Sequence, residues 1–141
     1  MTPEQLEMVA STSAVIEESS ERFAEAFYDV LFSAAPELRP MFPDDMAAQR
    51  AKLVDEVVFL AEVASDLDGF VARARALGAR HRHYGVRAHD YDVVLTAMMS
   101  ALQEILGEGY TAEVAAAWRL LYRLTAETML EGATGELFVE T

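Results

Sequence analysis

The chain has 141 residues, 52% of them hydrophobic, which suits one domain with a sizeable core and leaves no room for a second. Eleven Lys and Arg against 24 Asp and Glu give a formal charge of -13, which repels a phosphate backbone or an anionic lipid surface and argues against nucleic acid and membrane as partners. With no cysteine there is neither a disulfide framework nor a thiolate-held zinc or iron–sulfur cluster, so histidine and carboxylates remain as metal ligands. Met1-Thr2-Pro3-Glu4 is not a basic stretch leading into an apolar run, and no stretch of about 18 uncharged apolar residues occurs, so the expectation is a soluble cytoplasmic protein.

Apolar residues recur three and four apart almost throughout, which predicts an all-α fold. Thr2-Pro3-Glu4-Gln5 reads as a capping box with proline at the first helical position, opening a helix that runs to about Ser19. A second helix carries Phe23, Phe27, Val30 and Leu31 on one face and cannot continue regularly beyond Pro36. The segment from Pro36 to Phe42 reads as a short helical turn. Pro43-Asp44-Asp45 sets acidic residues at the start of the next helix, which extends to about Ala64. Asp66-Leu67-Asp68-Gly69 interrupts the pattern. A further helix then places Phe70, Ala74, Leu77 and His81 on one face and stops near Gly85. Tyr91, Val94, Leu95, Met98, Leu102 and Ile105 stripe a long helix that ends at Gly107-Glu108-Gly109. Thr111 caps the last helix, which buries Val114, Ala117, Trp118, Leu121 and Leu124 until Gly132. One domain over 1–132 and a flexible tail over 133–141 are the expected organisation.

Three polar side chains occupy positions where a core residue belongs, and a buried polar group is costly unless something satisfies it. His81 lies eleven positions after Phe70, about three helical turns, so it shares the apolar side of its helix. Gln49 falls in a stripe with Leu53, Val57 and Leu60, and Tyr28 shares a face with Leu31 and Phe32. Spacing alone leaves two readings: polar groups satisfied by backbone carbonyls, or two hydrogen-bond donors and an imidazole offered to an apolar interior. His83, about 200° further round the helix, cannot join His81 on one internal metal, and His89 reads as a surface residue. Acidic pairs such as Glu17-Glu18 and Asp55-Glu56 read as solvated faces. No Ser-His-Asp or Cys-His spacing and no glycine-rich phosphate loop is present.

In order along the chain, Phe27-Tyr28-Asp29, Pro36-Glu37-Leu38-Arg39-Pro40-Met41-Phe42, Gln49 with Leu53, Leu77-Gly78-Ala79-Arg80-His81, Tyr84-Gly85-Val86 and Tyr91 resemble bacterial single-domain haemoglobins. The pattern, shared with the globin domain of flavohaemoglobins and with neuroglobins, covers roughly Leu6 to Leu130. The resemblance implies a globin fold of about six to eight helices around a pocket for haem b. It makes His81 the iron ligand, Phe42 the aromatic packed on the haem face, and Tyr28 and Gln49 the distal donors to bound oxygen. Leu53 and Val57 would wall the distal pocket, Leu77, Val86 and Val94 would pack near the proximal side, and Arg80 would meet a propionate. Tyr91 matches a tyrosine that steadies the proximal histidine in flavohaemoglobins, whereas Ala133 stands where those proteins have a glutamate and Glu131 is the nearest carboxylate.

By resemblance the expected activity is high-affinity, reversible oxygen binding, coupled to oxidation of nitric oxide to nitrate with electrons from a separate reductase. A gas-sensing or storage globin without catalysis, and a cofactor-free helical interaction module, are the alternatives.

Overall fold

The computed structural model describes residues 1–83 and 88–139, with side chains over 1–81 and 89–131. Among the described residues the chain is helical with no strand. Its order is α1 (Pro3–Glu18), α2 (Ser20–Ala34), a 3-10 helix (Pro36–Met41), α3 (Ala47–Val63), α4 (Leu67–His83), α5 (Ala88–Leu106), a second 3-10 turn (Gly107–Gly109) and α6 (Ala112–Val139). The all-α expectation therefore holds.

Local chemistry sets most of the boundaries. At the start of α1 the Gln5 N–H donates to Thr2 Oγ1 at 3.1 Å while the Thr2 N–H donates to Gln5 Oε1 at 2.9 Å, closing the expected capping box. Thr111 caps α6 by accepting the Val114 N–H at 3.2 Å. Gly107 ends α5 with φ +54°, a left-handed conformation that a side chain would oppose.

Three boundaries differ from the sequence-based expectation. The acidic pair at 44–45 lies before α3 rather than inside its first turn, and Asp45 Oδ1 accepts the Ala47 N–H at 3.0 Å, so its charge still meets the helix start. Leu67, Asp68 and Gly69 lie inside α4, leaving only a three-residue link, 64–66, after α3. Finally, α6 passes through Gly132 to Val139, since one glycine costs a helix only about 1 kcal/mol and need not end it.

The main core gathers Val9, Ile16, Phe23 and Leu102, all fully buried, with Phe27, Leu31, Trp118 and Leu121 around them. Packing is most extensive where α4 meets α6 and where α2 meets α5, while α1 lies against α3 and α6. Trp118 Nε1 donates to Thr12 Oγ1 at 2.6 Å, tying α6 to α1. A smaller cluster of Ala74, Tyr91 and Met129 sits between α4, α5 and α6, and Leu77 packs against both clusters. The crossing of α4 over α6 depends on Gly78, because a Cβ there would fall 1.9 Å from the Met129 carbonyl oxygen. No helix among the described residues is long and apolar enough to cross a membrane.

Candidate functional site: an imidazole and a tyrosine–glutamine pair

Tyr28 is 5% exposed on the inner face of α2. Its ring lies edge-on to Phe27 with centroids 5.0 Å apart, is stacked on Phe32 at 5.6 Å, and is edge-on to Phe42 at 5.7 Å. Ring contacts on three sides leave the phenol little freedom, and burial pushes its pKa above the ordinary value, so the hydroxyl keeps its proton at neutral pH. Gln49, in the first turn of α3, donates from Nε2 to the Tyr28 hydroxyl oxygen at 3.2 Å. The direction of that bond matters: Tyr28 accepts from the amide and so retains its own O–H for another acceptor. The two residues singled out on separate helices are thus brought together.

His81 projects from the last turn of α4 and is half-buried. Its Nδ1 lies 2.8 Å from the Leu77 carbonyl oxygen one turn earlier. A carbonyl can only accept, so Nδ1 carries the proton and the lone pair of the neutral ring resides on Nε2. Burial lowers the imidazole pKa below its ordinary value, opposed by the Leu77 bond, and the ring is neutral at pH 7. A neutral imidazole with its tautomer fixed by a backbone carbonyl is the form that ligates a metal. The described residues contain no group of three His, Asp or Glu side chains able to hold an ion among themselves, so any metal here would rest on the single imidazole and on other donors.

The apolar positions fall into two sets. Phe42, Leu53, Leu77 and Val94 pack against the core yet remain half-exposed, whereas Val57 and Tyr91 are buried, each 8% exposed. Tyr91 belongs to the small α4–α5–α6 cluster, and its carbonyl accepts a hydrogen bond from the Tyr122 hydroxyl. Burial raises the pKa of both phenols, so both are protonated at neutral pH. His89 is exposed, as its sequence context indicates, and Val86 lies outside the described residues.

Two charged residues behave differently from a simple solvated face. Glu56 holds the Arg73 guanidinium with both oxygens, at 2.9 and 3.0 Å, and its Oε1 also lies 3.5 Å from Arg80 Nη2. Arg80, expected from the resemblance near a propionate, is here exposed and paired with that carboxylate. Glu131, the nearest carboxylate in sequence to the Ala133 register, binds the Arg75 guanidinium.

Reading the sequence alone missed Arg39. Its Nη1 donates to the carbonyls of Phe42 at 3.3 Å and Pro43 at 3.0 Å, its Nη2 donates to that of Asp44 at 3.2 Å, and its carbon Cζ lies 5.3 Å from the centre of the Phe32 ring. An arginine between two prolines is the only signal that could have marked it, because its acceptors are backbone atoms.

Comparison with known proteins bears on the family and the fold. The globin family model matches residues 25–129. A flavohemoprotein of Bacillus subtilis is 26% identical over 128 residues, covering 89% of this chain and 32% of its own length. The chain thus spans about a third of the length of the curated relatives it matches. Among solved structures, an engineered carbene transferase from Rhodothermus marinus, described as a candidate nitric oxide dioxygenase, superposes with a TM-score of 0.86. It is 22% identical, and the match covers 99% of this chain and 97% of that one. A flavohemoglobin from Malassezia yamatoensis with bound FAD and heme gives a TM-score of 0.79 at 19% identity, over 99% of this chain and 38% of that one. At these identities the structural matches establish the fold.

Proposed function

Because the chain belongs to the globin family, we propose that it holds haem b through His81 and binds oxygen and related diatomic gases on the side of Tyr28 and Gln49. The observation that carries this reading is the 2.8 Å contact between His81 Nδ1 and the Leu77 carbonyl, which leaves the Nε2 lone pair available to a metal. The apolar set fits the same group: Phe42, Leu53, Leu77 and Val94 offer half-exposed apolar surface that a flat, largely apolar ring would cover. Val57 adds to this lining and the resemblance would add Val86, Tyr91 backs the α4 side, and Arg80 is the cation available to a propionate once it leaves Glu56.

Bound in that position, haem would supply an iron with one coordination place taken by the imidazole and one left for a gas. The rest of the work belongs to the chain. Fixed by the Leu77 carbonyl, His81 would offer its Nε2 lone pair without rotating. The Tyr28 O–H, whose oxygen already accepts from Gln49, would give its hydrogen bond to the gas. A hydrogen bond to an atom carrying negative charge is worth about 1.5–3 kcal/mol, and each 1.4 kcal/mol is about tenfold in an equilibrium. One such donor, polarised by the Gln49 amide, is enough to slow escape by about tenfold or more. Retention of that order suits a gas that reacts in place better than one merely delivered.

The reaction we infer is oxidation of nitric oxide: nitric oxide, dioxygen and one electron give nitrate. The electron comes from a reductase outside these 141 residues, and the acidic net charge makes neither nucleic acid nor a membrane part of the process. We place the protein in the cytoplasm.

The experiment is haem reconstitution followed by turnover. The parent protein should take up one haem per chain, give a Soret band that shifts with oxygen, and consume nitric oxide when a flavin reductase and reduced nicotinamide are supplied. Replacing His81 by Leu should abolish uptake at unchanged helicity, and colour retained by that variant would refute the ligand assignment. Oxygen binding without nitric oxide consumption would leave a storage or sensing globin.

A further inference from the structure

The Tyr28–Gln49 pair is built from two helices that do not touch through the pair alone. Between them runs the Pro36–Met41 helix and the irregular link 42–46, which opens on an extended Phe42 at φ -119° and ψ 154° and ends on Met46 at φ -92° and ψ 2°. That link has few internal bonds of its own: the Phe42 N–H reaches the Arg39 carbonyl at 3.1 Å, and Asp45 caps the start of α3. Three consecutive carbonyls, those of Phe42, Pro43 and Asp44, converge on one guanidinium, that of Arg39. The rigid planar fork of arginine spreads its donors over separate nitrogens in one plane and can span the three carbonyls, whereas the three donors of a lysine ammonium radiate from a single atom.

The carbon of the same guanidinium lies over the Phe32 ring. Phe32 and Phe42 are 5.4 Å apart, edge to face, and both contact the Tyr28 ring. Arg39 therefore touches both rings' supports: it binds the backbone that carries Phe42 and covers Phe32 directly. It also fixes the backbone that leads into α3, and hence Gln49.

We propose that Arg39 is a positioning residue for the tyrosine–glutamine pair, holding the aromatic wall and the entry to α3 so that the Tyr28 hydroxyl stays aimed and a bound gas is retained. The inference rests on the proposed function for its effect on gas binding, but the effect on the Tyr28 ring is independent of any cofactor.

Two variants test it. Arg39→Met keeps the aliphatic stem and loses the fork; Arg39→Lys keeps a cation over Phe32 and also loses the fork. In cofactor-free protein carrying fluorotyrosine, the Tyr28 fluorine resonance, assigned by its absence in Tyr28→Phe, should shift or broaden in both variants while those of Tyr91 and Tyr122 stay in place. In haem-loaded protein the oxygen dissociation rate should rise about fivefold in both variants, yet change less than about twofold when Arg39→Met is added to Tyr28→Phe, as expected for residues in one network.

An unmoved Tyr28 resonance overturns the proposal, as does a fivefold effect that persists without the Tyr28 hydroxyl. So does an Arg39→Lys protein that matches the parent in both measurements. If the parent takes up no haem, the proposed function fails while the fluorine spectra still decide whether Arg39 holds Tyr28.

Discussion

The two sides of the proposed haem site are secured by different forces. Around Tyr28 the chain relies on directional, exchangeable contacts: four aromatic rings meeting edge to face or stacked, an amide on a hydroxyl, and one guanidinium on three carbonyls. Around His81 it relies on close backbone approach, with Gly78 seated against the Met129 carbonyl three residues before the imidazole. The Tyr28 hydroxyl can still turn about its own C–O bond, whereas at Gly78 the neighbour met by an added methyl is main chain of α6 and not the end of a flexible side chain. Such a division would suit the proposed haem site, where the iron ligand has to be fixed and the donor to the gas has to turn.

The strongest test of that contrast is Gly78→Ala. Alanine normally favours a helix by about 1 kcal/mol over glycine, but here its methyl would overlap main-chain atoms of α6. Overpacking against backbone costs about 1–3 kcal/mol or more, so thermal unfolding should begin several degrees lower, and the imidazole should lose its fixed orientation with it. A melting temperature at or above the parent's would show that the α4–α6 contact yields easily.

On the Tyr28 side the expected effects are functional rather than structural. Tyr28→Phe should raise the oxygen dissociation rate of haem-loaded protein about tenfold, equivalent to about 1.4 kcal/mol, with little change in melting temperature. Gln49→Leu should raise it less, because the amide acts on the gas through the hydroxyl it polarises. Stopped-flow rates that rank the two variants the other way would make Gln49 the primary donor.

Tyr122→Phe probes the backing of the α4 side. Removing a hydroxyl that donates to the Tyr91 carbonyl should cost about 1 kcal/mol near pH 7. Burial holds the Tyr122 pKa well above the 10.0 of a free tyrosine, so its stabilisation is complete below pH 10 and declines as the unfolded chain ionises above it. Denaturant titrations should therefore find the gap between parent and variant narrowing above pH 10. A gap constant from pH 7 to 11 would mean that the phenol ionises equally in both states.

How much of this could be read from the sequence follows from the range over which each contact acts. His81, Tyr28 and Gln49 stood out because each interrupts an apolar stripe of its own helix, a pattern that needs no tertiary information. The capping box and the Thr111 cap were legible for the same reason. Arg39 and Glu56 were not, since an arginine gripping backbone carbonyls and a glutamate shared by two arginines look like ordinary surface charges until the helices are placed. The start of α3 was misjudged by two to four residues because Asp45 satisfies the helix from just outside it.

Glu56→Gln offers the smallest expected effect and the finest test of how the two sides are joined. Glu56 lies on α3, the helix of Gln49, and its partners lie on α4, the helix of His81, so it is a polar strut between them. The carboxylate is largely covered, but the two guanidinium groups keep 42% and 56% of their exposure, and water screens much of the attraction. Replacement by the neutral amide should therefore cost no more than about 1 kcal/mol at low salt. Most of that should vanish at high salt, where exposed pairs contribute little in the parent either. The Arg73 pair, held by both oxygens at 2.9 and 3.0 Å, should supply more of it than the 3.5 Å approach of Arg80. Arg73→Gln should then approach the full loss while Arg80→Gln stays near the parent; equal losses would mean that the shared charge, and not the two-pronged geometry, connects the helices.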